Sequence, residues 1–273
     1  MRNLSMRYSP ESELVLSNVS FQIQAGEKLG IVGRTGAGKS SLSLAFFRFT
    51  EHESGQILVD GIDISKIGLH DLRSRLTIIP QDPYMLSNIS VLFSGTLRSN
   101  LDPHSEFSDE FMWKSLKSSG FFDNVQMTRS REGSATSEIK GGAVNDKLSL
   151  ESAVEEGGKN FSQGQRQLLC LSRALLRQCK IIVLDEATAS VDYDTDTRIQ
   201  ITMRKEFIGS TLLCIAHRLR TIIDYDKILV LEKGRVAQFG SPKDLIGREG
   251  IFQKMCQESG EFNELVEMAA CNM

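Results

Sequence analysis

The residues with the clearest chemical meaning in this 273-residue chain are those from Gly33 to Ser40, which read Gly-Arg-Thr-Gly-Ala-Gly-Lys-Ser. They match the pattern G-x-x-x-x-G-K-[S/T], in which glycines allow positive φ and turn backbone N–H groups toward an anion. Lys39 would reach the β- and γ-phosphates of a nucleotide, and the Ser40 hydroxyl would bind Mg²⁺. The sequence therefore predicts a phosphate-binding loop for ATP or GTP that consists of Gly33, Arg34, Thr35, Gly36, Ala37, Gly38, Lys39 and Ser40.

The segments on either side of this loop agree with that prediction. The segment from residue 28 to residue 32 is short and mostly apolar, which is typical of a buried parallel strand. Residues 41 to 47 carry enough apolar side chains for a helix that packs on the sheet. The dipole of that helix would add positive potential where phosphates bind. A glycine-rich turn that arose by chance would rarely have a strand, a loop and a helix in this order.

A second candidate group follows the apolar run at residues 181 to 184, where Asp185 and Glu186 come next. Open α/β sheets bind their ligands at the C-terminal ends of their strands. Asp185 would hold Mg²⁺, directly or through water, and Glu186 would take a proton from an attacking water. Acids after a strand can also merely face solvent, but the loop upstream favours the functional interpretation.

A third candidate region begins at Phe161-Ser162-Gln163-Gly164-Gln165 and continues into an apolar helical stretch. Ser162 and Gln165 have the spacing of a capping box, so Ser162 is predicted to start the helix. A capped helix N-terminus with a glycine can bind a second phosphate surface, although most such caps are only structural.

The elements that must position these residues alternate between strands and helices, which predicts an α/β fold in one large or two small domains. Apolar runs predict strands at residues 76–79, 181–184 and 211–216, and a hairpin at 227–238. From about residue 83 to 176 the pattern is helical. It is broken at roughly 129–160 by a Gly-, Ser- and Glu-rich loop that is predicted to be mobile.

Composition excludes several classes of protein. No stretch approaches the roughly 20 apolar residues that span a bilayer, and the first eight residues lack the apolar core of a signal peptide. A net charge of −3 argues against nucleic acid as the main partner. Five cysteines without a CxxC pair indicate a reducing cytosolic compartment, with neither a disulfide framework nor a zinc site. The Asn-x-Ser sequons would then not be glycosylated.

The order of these motifs resembles that of an ATP-binding cassette (ABC) ATPase, with Gln81 and His217 each following a predicted strand. The amino-acid sequence of these motifs is most similar to that of the second nucleotide-binding domain of C-family transporters of the multidrug-resistance-associated type. The resemblance implies a P-loop NTPase fold, with a RecA-like parallel sheet core, an antiparallel β subdomain and an ABC-type helical subdomain. It covers nearly the whole chain, so residues 1–273 would form one cassette with its helical subdomain at about 84–177. The matching stretches are residues 26–42, 78–83, 92–103, 164–177 and 184–192.

The resemblance also implies ATP and Mg²⁺ as ligands and a role for each matching residue. Tyr8 would stack on adenine, and Ser41 would join the nucleotide-binding loop. Gln81 would sense Mg²⁺ and the attacking water, and residues 189–192 would cross a dimer interface. The implied catalytic residues are Glu186 as base, His217 as the γ-phosphate switch, and Lys39; the implied metal ligands are Ser40, Gln81 and Asp185. The implied signature, which would contact the nucleotide of another cassette, is Ser162, Gln163, Gly164 and Gln165.

The implied partners are a second cassette, namely a first nucleotide-binding domain, and transmembrane domains that this sequence does not contain. Family cassettes close head to tail at the cytosolic face of a membrane and drive export of organic anions or amphipathic compounds. A start at Met1 predicts a fragment of a longer transporter, which would be soluble and slow in hydrolysis when alone. Two alternatives stay open: a nucleotide-sensing regulatory cassette and a free-standing soluble ABC ATPase.

Two departures from the family pattern qualify these expectations. Gln163 replaces a signature glycine and would crowd a phosphate, so the chain is expected to carry the signature half of a poorer site. Residues 84–90 are an insertion relative to the family pattern. The favoured interpretation is a splicing or gene-model artefact, because synonymous codons for Leu-Ser-Asn-Ile-Ser can contain the branch point and acceptor site of an intron. Uniform retention in mature RNA would contradict it. If these residues are retained, ATP binding is expected to survive and coupling to suffer.

Overall fold

The computed structural model describes residues 1–79, 92–122, 149–185, 193–216 and 218–270, with only the backbone described for residues 193–196. The chain forms two compact units. The first contains Met1–Ile78, Cys179–Glu186 and Gly209–Met273, and the second contains Ile79–Gln178 and Ala187–Ile208. None of the described helices is long and apolar enough to cross a bilayer.

The secondary structure alternates along the chain. The strands are β1 (Arg2–Met6), β2 (Leu16–Val19), β3 (Lys28–Val32), β4 (Ser54–Gln56), β5 (Leu58–Val59), β6 (Ile62–Asp63), β7 (Leu76–Ile79), β8 (Gly95–Thr96), β9 (Ala153–Val154), β10 (Ile181–Asp185), β11 (Thr211–Ile215), β12 (Lys227–Glu232) and β13 (Arg235–Gly240). The helices are α1 (Lys39–Phe46), α2 (Leu69–Ser74), α3 (Leu97–Leu101), α4 (Asp109–Ser118), α5 (Gln163–Arg177), α6 (Tyr193–Glu206), α7 (Pro242–Gly247), α8 (Ile251–Glu258) and α9 (Phe262–Ala270).

The main sheet of the first unit has six strands in the order β13-β12-β3-β11-β10-β7. Strands β12, β3, β11 and β10 run parallel to one another, and β13 returns antiparallel to β12. Leu29, Ile31 and Val32 of β3 are fully buried, as expected for a strand covered on both faces. The predicted α/β class is therefore confirmed, and so is the hairpin near the end of the chain.

A separate three-stranded antiparallel sheet, in the order β2-β1-β4, also belongs to the first unit. Its strands supply fully buried apolar side chains, among them Leu4, Met6 and Val19. The segment from residue 7 to residue 14 connects β1 to β2 and is closed at its base, where the Val15 N–H donates to the Met6 carbonyl over 2.9 Å. This connection carries Tyr8.

The second unit is centred on α5, against which α3, α4 and α6 pack. Leu168, Leu169 and Leu171 of α5 are buried in this contact. Residues 129–148 of the predicted mobile loop lie outside the described residues, as do the extra residues 84–90. The described remainder of that loop, residues 149–160, contains β9, which pairs with β8, and a turn of 3-10 helix.

Candidate functional site

The predicted phosphate-binding loop lies between β3 and α1, at the C-terminal end of a central strand. Gly36 and Gly38 have left-handed backbone conformations, with φ of 80° and 98°. Residues 34–36 are exposed, whereas Ala37, Gly38 and Lys39 are buried. The middle of the loop therefore faces solvent while its second half is held by the protein.

Lys39 is the charged group of this loop. Its side chain folds back over the loop, and its Nζ donates to the Gly33 carbonyl at 2.8 Å and to the Arg34 carbonyl at 3.4 Å. Only 6% of the residue is exposed. A positive charge is thus fixed beside the N-terminus of α1, where the helix dipole also favours an anion.

The loop is braced by the turn between β12 and β13. The sequence predicted this hairpin but not its contact with the loop. The Gly234 N–H donates to the Ala37 carbonyl over 3.1 Å, and the Ser17 N–H donates to the Gly234 carbonyl over 2.8 Å. A Cβ atom at Gly33 would lie 2.4 Å from the Leu231 carbonyl oxygen, so this position requires glycine for close approach. The phosphate-binding loop therefore depends on residues about two hundred positions later in the chain.

Replacing Gly234 with alanine is expected to disturb this brace. Gly234 has a φ of 74°, and an added Cβ would lie 2.2 Å from the Val15 carbonyl oxygen. The matched control is Gly61→Ala, because Gly61 has a φ of 80° and no atom of the described residues beyond its chain neighbours lies within 4 Å of its Cβ position. The backbone cost of about 1–2 kcal/mol is common to both variants, and the clash adds about 1–3 kcal/mol at Gly234 alone.

Urea unfolding would measure these stabilities, and calorimetry would measure ATP binding by the folded fraction. We expect weaker ATP binding only in Gly234→Ala. Equal losses of stability, with ATP binding unchanged in both variants, would show that the turn does not support the loop.

Two oxygen-bearing side chains lie at the same edge of the main sheet. Asp185 ends β10, which runs parallel to β11 with Asp185 opposite Ile215. Ser40 is exposed in the first turn of α1, and α1 packs against β10. A carboxylate and a hydroxyl are hard oxygen donors of the kind that Mg²⁺ prefers, and Mg²⁺ sites commonly combine one or two protein ligands with substrate phosphates. These two residues therefore fit the predicted metal site.

Three predicted site residues, together with one predicted loop, lie outside the described residues. Gln81 follows β7 by two positions, Glu186 follows Asp185 directly, and His217 follows β11 by two positions. Residues 189–192 are likewise not described. Their roles stay predictions from the sequence.

The N-terminus of α5 has the capping box that the sequence predicted. The Ser162 Oγ accepts a hydrogen bond from the Gln165 N–H over 3.2 Å, and the Gln165 Oε1 accepts one from the Ser162 N–H over 2.9 Å. Ser162 is exposed, Gly164 is buried, and Gln163 is half-buried at the first helical position. The Ser162 hydroxyl hydrogen remains available to a ligand because that oxygen acts only as an acceptor in the cap.

Asn100 joins α5 to the segment that precedes α3, and sequence reasoning missed it. Its Nδ2 donates to the carbonyls of Phe93 at 2.9 Å and Thr96 at 3.0 Å. Its Oδ1 accepts from the Phe93 N–H at 3.1 Å and from the Arg173 Nη2 at 2.8 Å. Arg173 is half-buried, and desolvation of its guanidinium lowers the pKa of that group. The helix that begins at the predicted signature is thus held through a polar cluster that includes the fully buried Asn100.

Asn100→Ala is expected to lower the free energy of unfolding by about 3 kcal/mol, because it leaves several buried donors and acceptors without this partner. Asn263, which is exposed on α9, provides the matched control. Chemical denaturation of Asn100→Ala and Asn263→Ala would test this. A loss below about 1 kcal/mol for Asn100→Ala would mean that water or relaxation replaces the amide.

Comparisons with known proteins add to this geometry. A family model described as ABC transporter matches residues 16–189. The chain is 50% identical over 276 residues to the ATP-dependent bile acid permease of Saccharomyces cerevisiae, and this match covers 98% of this chain and 16% of that protein. It is 51% identical over 261 residues to the ATP-binding cassette sub-family C member 2 of Rattus norvegicus, and this match covers 94% of this chain and 15% of that protein. The chain therefore spans less than a fifth of the length of either relative.

A solved structure gives the same result for the fold. A bacterial Atm1-family ABC exporter with ATP bound has a TM-score of 0.79 to this chain at 32% sequence identity. The match covers 94% of this chain and 41% of that one. The likeness in fold therefore covers nearly all of this chain.

Proposed function

The chain belongs to the ABC transporter family, and from this premise we propose that it is the ATP-binding and ATP-hydrolysing cassette of an exporter of organic anions or amphipathic compounds. The observation that carries this proposal is the position of Lys39, whose buried ammonium group lies over the phosphate-binding loop at the C-terminal edge of a parallel sheet. The loop, the helix behind it and the charge all favour a nucleotide's phosphates.

Further residues would complete the proposed nucleotide site. Tyr8 offers an exposed aromatic ring for adenine. Ser40 and Asp185, with Gln81, would hold Mg²⁺, which would neutralise charge on the phosphates. Glu186 would accept the proton of the attacking water, and His217 would contact the γ-phosphate.

The second unit would serve a different nucleotide. We propose that two cassettes close head to tail at the cytosolic face of a membrane, so that Ser162 and Gly164 face the ATP of the partner cassette. Gln163, at the first helical position, would bring a bulky side chain into that contact. This supports a second cassette of the C-family type, with hydrolytic residues for one site and a weaker signature for the other.

The test is to measure ATP binding and hydrolysis by this chain, first alone and then mixed with a first cassette from a C-family transporter. We expect MgATP to bind the chain alone, with slow hydrolysis that rises when the partner is added, because a closed dimer completes the site. Failure to bind MgATP would overturn the proposal. Binding without any increase in hydrolysis would instead favour a nucleotide-sensing regulatory cassette, and fast hydrolysis without a partner would favour a free-standing ATPase.

A further inference from the structure

Tyr8 is a large side chain with 54% of its surface exposed, yet the end of its ring is held in place. Its hydroxyl lies 2.8 Å from the Oγ of Ser41. Ser41 is buried, with 5% of its surface exposed, and it follows Ser40 in the first turn of α1. A hydrogen bond therefore connects the exposed aromatic ring to the helix that begins at the phosphate-binding loop.

The backbone that carries Tyr8 is also fixed. The Arg7 Nη1 donates to the carbonyls of Pro10 at 3.2 Å and Ser12 at 3.1 Å, and the Arg7 guanidinium pairs with Glu53. The Ser12 N–H donates to the Ser9 carbonyl over 3.0 Å. The connection between β1 and β2 is thus bonded across itself, and the Ser41 contact fixes the Tyr8 ring.

We infer that Ser41 is a positioning residue for the nucleotide base: its hydroxyl holds the Tyr8 ring in the orientation that receives a purine. This inference rests on the proposed function and specifies how the base is recognised. A side chain that is ordered before binding loses less rotamer freedom when the ligand arrives. A hydroxyl has one donor and two acceptor positions, so Ser41 can accept from Tyr8 and still donate to a phosphate oxygen. The base site and the phosphate site would then share one atom.

Tyr8→Phe is the direct test, because it keeps the aromatic ring and removes only the hydroxyl. We expect its ATP affinity to fall by about two- to tenfold, which is the effect of ordering one side chain on binding. Ser41→Ala should weaken ATP binding at least as much. The double variant should bind ATP no more weakly than Ser41→Ala does, because both changes break the same bond. Ser43→Ala serves as the matched control, since Ser43 is another buried serine of α1.

Tripolyphosphate with Mg²⁺ has the phosphates of ATP but no base, so its affinity reports on the phosphate site alone. Tyr8→Phe should bind tripolyphosphate as the unaltered chain does. Isothermal titration calorimetry on the four variants and the unaltered chain gives all these constants, and urea unfolding verifies that each variant is folded. Unchanged ATP affinity in Tyr8→Phe, additive losses in the double variant, or an equal loss with tripolyphosphate would each overturn the inference. An unaltered chain that binds neither ligand would overturn the proposed function itself.

Discussion

Replacing Lys39 with alanine is expected to weaken MgATP binding by about 100-fold. The Lys39 ammonium group is held over the loop by the Gly33 carbonyl, so its charge is already placed when a ligand arrives. Hydrogen bonds from a charged group to phosphate oxygens are among the strongest in proteins, and little of this interaction is lost to reorganisation. Isothermal titration calorimetry with MgATP measures the change directly.

Because Lys39 is buried, the stem of its side chain also packs, and the alanine variant alone would mix two effects. Lys39→Met fills the same space without the charge, and it should bind ATP as weakly as the alanine variant. Lys66→Ala, at an exposed position of the first unit, should bind normally. Full affinity in both Lys39 variants would remove Lys39 from the nucleotide site.

Glu186→Gln is expected to slow ATP hydrolysis by about 10²–10⁴-fold, the usual contribution of a positioned general base. The amide keeps the shape of the carboxylate but cannot accept the proton of the attacking water. MgATP affinity should stay within about twofold, because binding depends on the phosphate-binding loop rather than on the base. Phosphate release from the chain mixed with its partner cassette measures the rate.

Glu232→Gln supplies the comparison, since Glu232 also ends a strand of the main sheet but is exposed. It should hydrolyse ATP at the unaltered rate. If both Glu186→Gln and Glu232→Gln hydrolyse ATP at the unaltered rate, another group must accept the proton of the attacking water, and Glu186 has no catalytic role.

The parts of this molecule that the sequence predicted are those fixed by nearby residues. The loop after β3 follows from its glycines, and the start of α5 follows from Ser162 and Gln165, which cap each other within one helical turn. The strands β10 and β11 follow from apolar runs that only a doubly covered sheet can bury. In each case the residues that carry the signal lie within a few positions of one another along the chain.

What the sequence did not predict depends on contacts between distant segments. Gly234 marks a hairpin turn in the sequence, but its bond to Ala37 exists only because β12 lies next to β3. Asn100 and Arg173 look like ordinary helix residues, and their bond joins positions 73 residues apart. The Tyr8 hydroxyl likewise reaches Ser41 across 33 positions. Periodicity and motif spacing carry no information about such pairs.

The position of β3 in the sheet has a consequence for how the chain folds as it is synthesised. Its two neighbours are β11 and β12, which begin at Thr211 and Lys227, so the strand that leads into the phosphate-binding loop is synthesised well before either strand that pairs with it. Until then β3 is an apolar strand with both edges open, the kind of segment that aggregates or engages chaperones. Pairing over such long separations is also slow. The nucleotide site of this cassette is therefore assembled only after β11 and β12 have been synthesised, although its phosphate-binding loop comes well before them in the chain.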